Sequence, residues 1–116
     1  MYNILICDDE KDIVSAIEIY LKTAGYSVYK AYNGMEAVDM VNSNDIQLVL
    51  MDVMMPQMDG ITAMAKIRES SNVPVIMLTA KSEDTDKVLG LEVGADDYIS
   101  VPFDPDEVIA RIRAIY

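Results

Sequence analysis

Asp8, Asp9 and Asp52 stand where apolar runs end. Residues 2–7 read Y-N-I-L-I-C and give way to Asp8, Asp9 and Glu10; residues 47–51 read Q-L-V-L-M and give way to Asp52. Short apolar runs bounded by polar residues are the pattern of buried parallel strands. In an open parallel sheet, ligands bind beyond the carboxyl ends of the strands. Acids from two strands therefore converge on one edge of the sheet. Three carboxylates crowded there repel one another, and a hard divalent cation with oxygen ligands relieves the repulsion. Helix capping is the simpler use of a polar strand end, and Asp9 is placed to cap the helix that follows.

Those acids need a sheet beneath them, and the rest of the chain supplies one. Strand and helix patterns alternate five times. Strands are expected over 2–7, 26–32, 47–51, 73–78 and 95–100. Helices are expected over 10–24, 35–42, 61–70 and 83–93, with a last one opening at 102–105. In the first helix Ile13, Ile17, Tyr20 and Leu21 share a face at helical spacing, and Gly25 ends it as a C-cap glycine. Asn33-Gly34 reads as a turn, and Ala37, Val38 and Val41 line the inner side of the second helix. Residues 52–60 and 79–82 read as loops, and Pro74 falls at the first positions of a strand, where a missing N–H does least harm. Asp104 and Pro105 suit the N-cap and first position of the last helix, in which Val108, Ile109 and Ile112 recur. Strict alternation with short loops implies a parallel sheet covered on both faces.

Composition narrows the function. The 116 residues suit one domain, and 52% hydrophobic content can bury a core. A net charge of −11 argues against contact with nucleic acid or an anionic membrane. No apolar run approaches the roughly 20 residues that span a bilayer, and no leader precedes the first strand, so a cytoplasmic location is expected. The lone Cys7 excludes an intrachain disulfide and reads as a small buried apolar residue. The absence of histidine excludes His-dependent triads, His-ligated zinc and phosphohistidine chemistry within the chain. Met54, Met55 and Met58 read as adaptable packing, with a Met-rich contact surface as the alternative.

The stretches I-L-I-C-D-D-E, L-V-L-M-D-V-M-M-P-Q-M-D-G, V-P-V-I-M-L-T-A and G-A-D-D-Y-I-S-V-P-F together resemble the receiver domain of bacterial two-component response regulators across nearly the whole chain. The resemblance implies an α/β, flavodoxin-like, doubly wound five-stranded parallel sheet of order 2-1-3-4-5 with helices on both faces. It implies that Asp52 is the phosphoacceptor and that Asp8, Asp9, Asp52 and the backbone carbonyl of Met54 hold Mg²⁺. By the same resemblance, Thr79 donates its hydroxyl to the phosphoryl group, Ala80 leaves room for it, and Tyr98 is an aromatic switch that turns inward. The bland alternatives are a loop hydroxyl for Thr79 and an amphipathic edge-strand residue for Tyr98. Glu10 fits a supporting or helix-N-terminal acid. Gly60 permits geometry that a Cβ resists, and Pro102 stands where the family carries a cis proline.

Val101 departs from the pattern, since the family places a lysine before that proline to pair with Asp52 and the phosphoryl group. Valine supplies neither charge nor a donor; Lys81 is the nearest substitute by sequence. Neutral drift, weakened switching and a deliberately introduced change all account for it. Weaker phosphoryl transfer with Mg²⁺ affinity kept or raised is the expectation.

Lys87, Asp96, Asp97, Glu107, Arg111 and Arg113, around Val88, Leu91 and Ile109, form a charged face on the helix over 83–93, the fifth strand and the last helix. They match the OmpR/PhoB-like subfamily, whose resemblance implies a homodimer through this face, with Lys87–Glu107 and Asp97–Arg111 as pairs. A solvated surface is the plainer reading. The resemblance also implies a sensor histidine kinase upstream. It further implies that 1–116 is a single receiver domain of a longer transcription regulator whose DNA contact belongs to a C-terminal domain. The chain is then no turnover enzyme beyond Mg²⁺-dependent self-phosphorylation and dephosphorylation. The competing classes are a stand-alone receiver, a pseudo-receiver working by protein contact without phosphate, and a metal-dependent phosphohydrolase.

Overall fold

Successive residues of a strand face opposite sides of a sheet, and here both sides are apolar. The computed structural model describes residues 2–53, 55, 58–80, 97–101 and 104–115, with the backbone alone at 79, 80, 97, 98, 100, 101 and 105. Five strands, β1 (Asn3–Cys7), β2 (Ser27–Ala31), β3 (Leu48–Asp52), β4 (Val75–Ala80) and β5 (Asp97–Val101), form one parallel sheet of order β2-β1-β3-β4-β5. The helices are α1 (Lys11–Thr23), α2 (Gly34–Ser43), α3 (Gly60–Arg68) and α4 (Pro105–Ile115). The flavodoxin-like α/β fold is as expected. The helix expected over 83–93 lies outside the described residues, as do Lys81 and Pro102. Among the described residues, no helix is long and apolar enough to cross a membrane.

On one face Ile4, Ile6, Leu48, Leu50, Ile76, Leu78 and Ile99 pack with Val14, Ile17 and Leu21 of α1 and Val108 and Ile112 of α4. On the other, Leu5, Cys7, Val49, Met51, Val75 and Met77 pack with Ala37 of α2 and Ala63, Met64 and Ile67 of α3. A crossover between parallel strands is right-handed, so the direction of travel across the sheet selects the covered face. The chain moves one way from β1 to β2, then returns over β1 to β3 and onward to β4. That reversal separates α1 from α2 and α3, and it leaves a crevice beyond the ends of β1 and β3.

Several expected boundaries shift, each for a local reason. Asp52 is the last residue of β3 rather than the first of a loop, because the ladder to β4 continues through Asp52 opposite Leu78. Thr79 and Ala80, expected in a loop, are strand residues opposite Ser100 and Val101. Pro74 precedes β4, and its carbonyl accepts from the Val49 N–H at 2.9 Å. Asn33-Gly34 is not a free turn: Asn33 caps α2, its side chain accepting from Glu36 N at 2.9 Å. Tyr20 is 42% exposed, and Val14 takes its place on the buried stripe with Ile17 and Leu21. The alternation of helical spacings three and four admits either stripe, and contact with the sheet chooses between them.

Gly25 ends α1 as expected. Its φ is 95°, its N–H bonds to Lys22 O at 3.0 Å, and the Tyr26 N–H bonds to Leu21 O at 3.0 Å, the paired bonds of a Schellman cap. A Cβ at Gly25 would meet nothing within 4 Å. Gly25→Ala therefore isolates the backbone cost of a left-handed residue and is expected to lose about 1–2 kcal/mol in urea unfolding. Gly25→Asn is expected to lose less, since asparagine visits that region more readily.

Candidate metal centre

Cys7 pairs with Met51 across the β1–β3 ladder, so the residues that follow each, Asp8 and Asp52, leave adjacent strands side by side. One carboxylate oxygen from each of Asp8, Asp9 and Asp52 lies within 4.8 Å of the others. Asp8 is buried at 4% exposure, Asp52 is half-buried and Asp9 is exposed. Three hard oxygen donors of formal negative charge suit a small divalent cation that keeps part of its water shell, so the donor set fits Mg²⁺. The structure thus brings the three aspartates together as the sequence indicates. The Met54 carbonyl expected beside them lies outside the described residues.

Burial pushes the Asp8 carboxyl up from 3.8 to about 6; the Glu10 N–H, donating to Oδ1 at 2.9 Å, works against this, and the charges of Asp9 and Glu10 reinforce it. The N-cap position of α1 belongs to Glu10, not Asp9, and no side chain caps the helix there. Asp9 is left for the cluster. Burial first, then the charges of Asp8, Asp52, Glu36 and Asp9, push the Cys7 thiol up to about 12, so it stays protonated. It is fully buried, as its apolar reading requires, and it also donates: Sγ lies 3.3 Å from Asn33 O and 3.6 Å from Met55 Sδ.

The chain just after Asp52 is held at two points. The following residue, Val53, donates its N–H to Leu78 O at 3.1 Å and accepts from Gly60 N at 2.9 Å. A Cβ at Gly60 would meet the carbonyl oxygen of Asp52 and lie 3.0 Å from Met51 Cγ. Close approach, rather than an unusual φ, is why glycine stands there. Asp59, preceding it, caps α3 by accepting from Thr62 N at 2.8 Å. Of the methionines after Asp52, Met55 and Met58 pack against the α2–α3 core, which favours the packing reading for those two.

Thr79 sits on β4 one residue beyond Leu78, the partner of Asp52, and therefore at the same edge of the sheet. Tyr98 pairs with Met77, and Val101 pairs with Ala80 at the end of β5. Of the charged face, Lys87, Val88, Leu91 and Asp96 lie outside the described residues. Asp97 opens β5, while α4 carries exposed Glu107 and Arg113 and half-buried Ile109 and Arg111. Arg111 and Glu107 approach to 4.0 Å along the helix. Sequence reading missed the roles of Asn33 and Glu36. Glu36 Oε1 accepts from Tyr32 N at 2.9 Å and Oε2 from Asn33 Nδ2 at 3.1 Å. The N-x-x-E spacing of a capping box was their visible signal.

A family model described as response regulator receiver domain matches residues 4–113. The receiver domain of a Francisella response regulator is 35% identical, with a TM-score of 0.92 over 100% of this chain and 97% of that one. A chemotaxis protein of Vibrio cholerae is 28% identical, with a TM-score of 0.94 over 100% of this chain and 99% of that one. The signal receiver domain of a histidine kinase from Syntrophus aciditrophicus is 30% identical, with a TM-score of 0.90 over 99% of this chain and 89% of that one.

The raised Asp8 pKa has a defined effect on stability in the absence of metal. Between about pH 4 and about 6 the folded protein keeps a proton on Asp8 that the unfolded chain releases, so stability falls as pH rises through this window. Below it the group is neutral in both states, and above it the full loss persists. Asp8→Asn, which can still accept from Glu10 N, is expected to be more stable than the parent in urea unfolding near neutral pH. The gain is expected to disappear below about pH 4.

Proposed function

The chain belongs to the response regulator receiver family, and from that premise we propose that it is a Mg²⁺-dependent phosphoacceptor domain, phosphorylated on Asp52 by a sensor histidine kinase. The observation that carries the reading is the convergence of the Asp8, Asp9 and Asp52 oxygens within 4.8 Å at the crevice between β1 and β3.

Asp8, Asp9 and Asp52 hold the cation, which when bound offsets negative charge on the acceptor and the incoming phosphoryl group. Asp8 is the buried anchor and must be ionised to serve; Asp9 is the exposed ligand at the mouth. An Asp52 carboxylate oxygen attacks phosphorus in line, the bond from phosphorus to the donor breaks, and the leaving group carries away the electron pair. The product is an acyl phosphate on Asp52. The Val53–Gly60 and Val53–Leu78 hydrogen bonds hold the backbone beside Asp52, which supports a positioned nucleophile. Thr79, one step past the register partner of Asp52, is the residue that answers the new phosphoryl group, and Tyr98 on β5 follows it. The chain is then a phosphoryl acceptor and not a turnover enzyme.

Val101 limits the switch in this reading. Val101 pairs with Ala80 on the last paired step of β5; the family resemblance puts a lysine at this position, and valine supplies neither charge nor a donor. Transfer to Asp52 still proceeds, because the acid cluster needs no lysine to hold the ion, while coupling to Thr79 and Tyr98 is weakened. The alternative is a pseudo-receiver that acts by protein contact alone, and Val101 is the feature that favours it.

The output follows less directly, since the similar receivers include one from a response regulator, a chemotaxis protein and one from a histidine kinase. We read the output as homodimerisation through β5, α4 and residues 83–93, driving a DNA-binding domain elsewhere in a longer protein. The exposed Glu107 and Arg113 and the half-buried Arg111 of α4 support it. The Arg111–Glu107 approach is weak enough to be exchanged for contacts to a second copy, since exposed pairs contribute about 0–1 kcal/mol. A cytoplasmic location accords with this role.

Incubation with a small acyl phosphate and Mg²⁺ is expected to add one phosphoryl group, seen as a mass shift, and Asp52→Ala or chelation is expected to abolish it. Val101→Lys is expected to accelerate labelling and to enlarge the phosphorylation-dependent change at Thr79 and Tyr98 in NMR spectra. Absence of labelling in both forms, with self-association intact, would establish the pseudo-receiver instead.

A further inference from the structure

The segment between β2 and α2 meets the chain that leaves Asp52 at two places, and the phosphoacceptor chemistry requires neither. The first is Cys7, the residue before Asp8. Its thiol hydrogen can go to Asn33 O at 3.3 Å or to Met55 Sδ at 3.6 Å, so β1, the start of α2 and the loop after Asp52 meet at one buried sulfur. The second is Gly34. A Cβ there would lie 2.8 Å from the Met58 carbonyl oxygen, 3.0 Å from Met58 Cγ and 3.1 Å from Ala63 Cβ. Gly25 carries the positive φ among the glycines described, so proximity, not backbone conformation, calls for glycine at 34. Met58 precedes Asp59 and Gly60, the residues that cap α3 and hold Val53.

The Asn33–Gly34 step is itself firmly held. Asn33 Oδ1 accepts from Glu36 N, Asn33 Nδ2 donates to Glu36 Oε2, and Glu36 Oε1 accepts from Tyr32 N. This step reaches the chain after Asp52 directly at Met58 and, through the Cys7 thiol, at Met55. The β1–β3 ladder sets the backbone register of Asp8 and Asp52, and the chain that leaves Asp52 is a further backbone restraint beside the Asp52 carboxylate.

We propose that Asn33–Gly34 is a positioning element for the cation site: with Cys7 it fixes the loop after Asp52 against Asp8, and so sets the affinity of the carboxylate cluster for Mg²⁺. The inference rests on the reading of Asp8, Asp9 and Asp52 as that cation's ligands. None of Cys7, Asn33 and Gly34 touches the ion. They act through the spacing of residues that do, as outer partners of a metal site commonly do.

Calorimetric Mg²⁺ titration of the whole chain tests this on the parent, Gly34→Ala, Cys7→Ala and Val73→Ala, all at a temperature where each is folded by circular dichroism. Val73 is buried in the same core but belongs to neither contact, so its truncation reports general loosening. Gly34→Ala is expected to weaken Mg²⁺ binding about tenfold, the lower end of the effect of outer partners. Cys7→Ala is expected to weaken it less, and Val73→Ala is expected to leave it unchanged. Labelling of Gly34→Ala by a small acyl phosphate is expected to return to the parent rate at saturating Mg²⁺, which separates affinity from chemistry. Parent-like affinity in both Gly34→Ala and Cys7→Ala overturns the inference, and so does an equal loss in Val73→Ala. If Gly34→Ala does not fold, Cys7→Ala against Val73→Ala decides by the same criterion. A parent that binds no Mg²⁺ overturns the cation reading first, and the inference with it.

Discussion

Like charges held together against their repulsion organise the functional end of this molecule. Asp8 and Asp52 continue strands whose preceding residues, Ile4 to Cys7 and Leu48 to Met51, are fully buried. A slip of one residue in either strand would turn every side chain to the opposite face and exchange the two cores. Register is thus enforced by the whole apolar interior, and the acids cannot separate without breaking it. The burial that keeps Asp8 close to its neighbours also disfavours its ionised form. Folding and charge therefore oppose one another at this one place, a conflict that a divalent cation of the proposed kind would relieve.

Secondary contacts serve the same end. Asn33 and Asp59 cap helices on the α2–α3 face, and each also stands next to a glycine packed against the backbone near Asp52. Capping there does more than satisfy orphan amides. It starts two helices at defined points against the chain that leaves Asp52. Met55 and Met58 fill the space between that loop and the core, a use for which an unbranched, adaptable side chain is suited.

Val101 continues the scaffold at its last paired step. The β4–β5 ladder runs on to the Ala80–Val101 pair, and valine favours strand conformation. The sheet therefore runs unbroken through this position. The family match over residues 4–113 accords with that unbroken scaffold.

The sequence alone determined the architecture and the three acids, because a strand buried on both faces must be apolar and must end abruptly where it meets solvent. The period of two, the period of 3.6 and the glycine after α1 are local signals that survive without knowledge of neighbours. Other features were not legible. Whether Asp52 and Thr79 end strands or begin loops depends on how far an adjacent strand continues the ladder. Whether Val14 or Tyr20 joins the buried stripe depends on the angle at which α1 meets the sheet. The Cys7–Asn33–Met55 junction and the tight fit at Gly34 join residues between 24 and 48 positions apart in the chain. Tertiary structure decided those contacts, because only the packing of α2 and α3 on one face of the sheet brings the start of α2 against the loop that leaves Asp52.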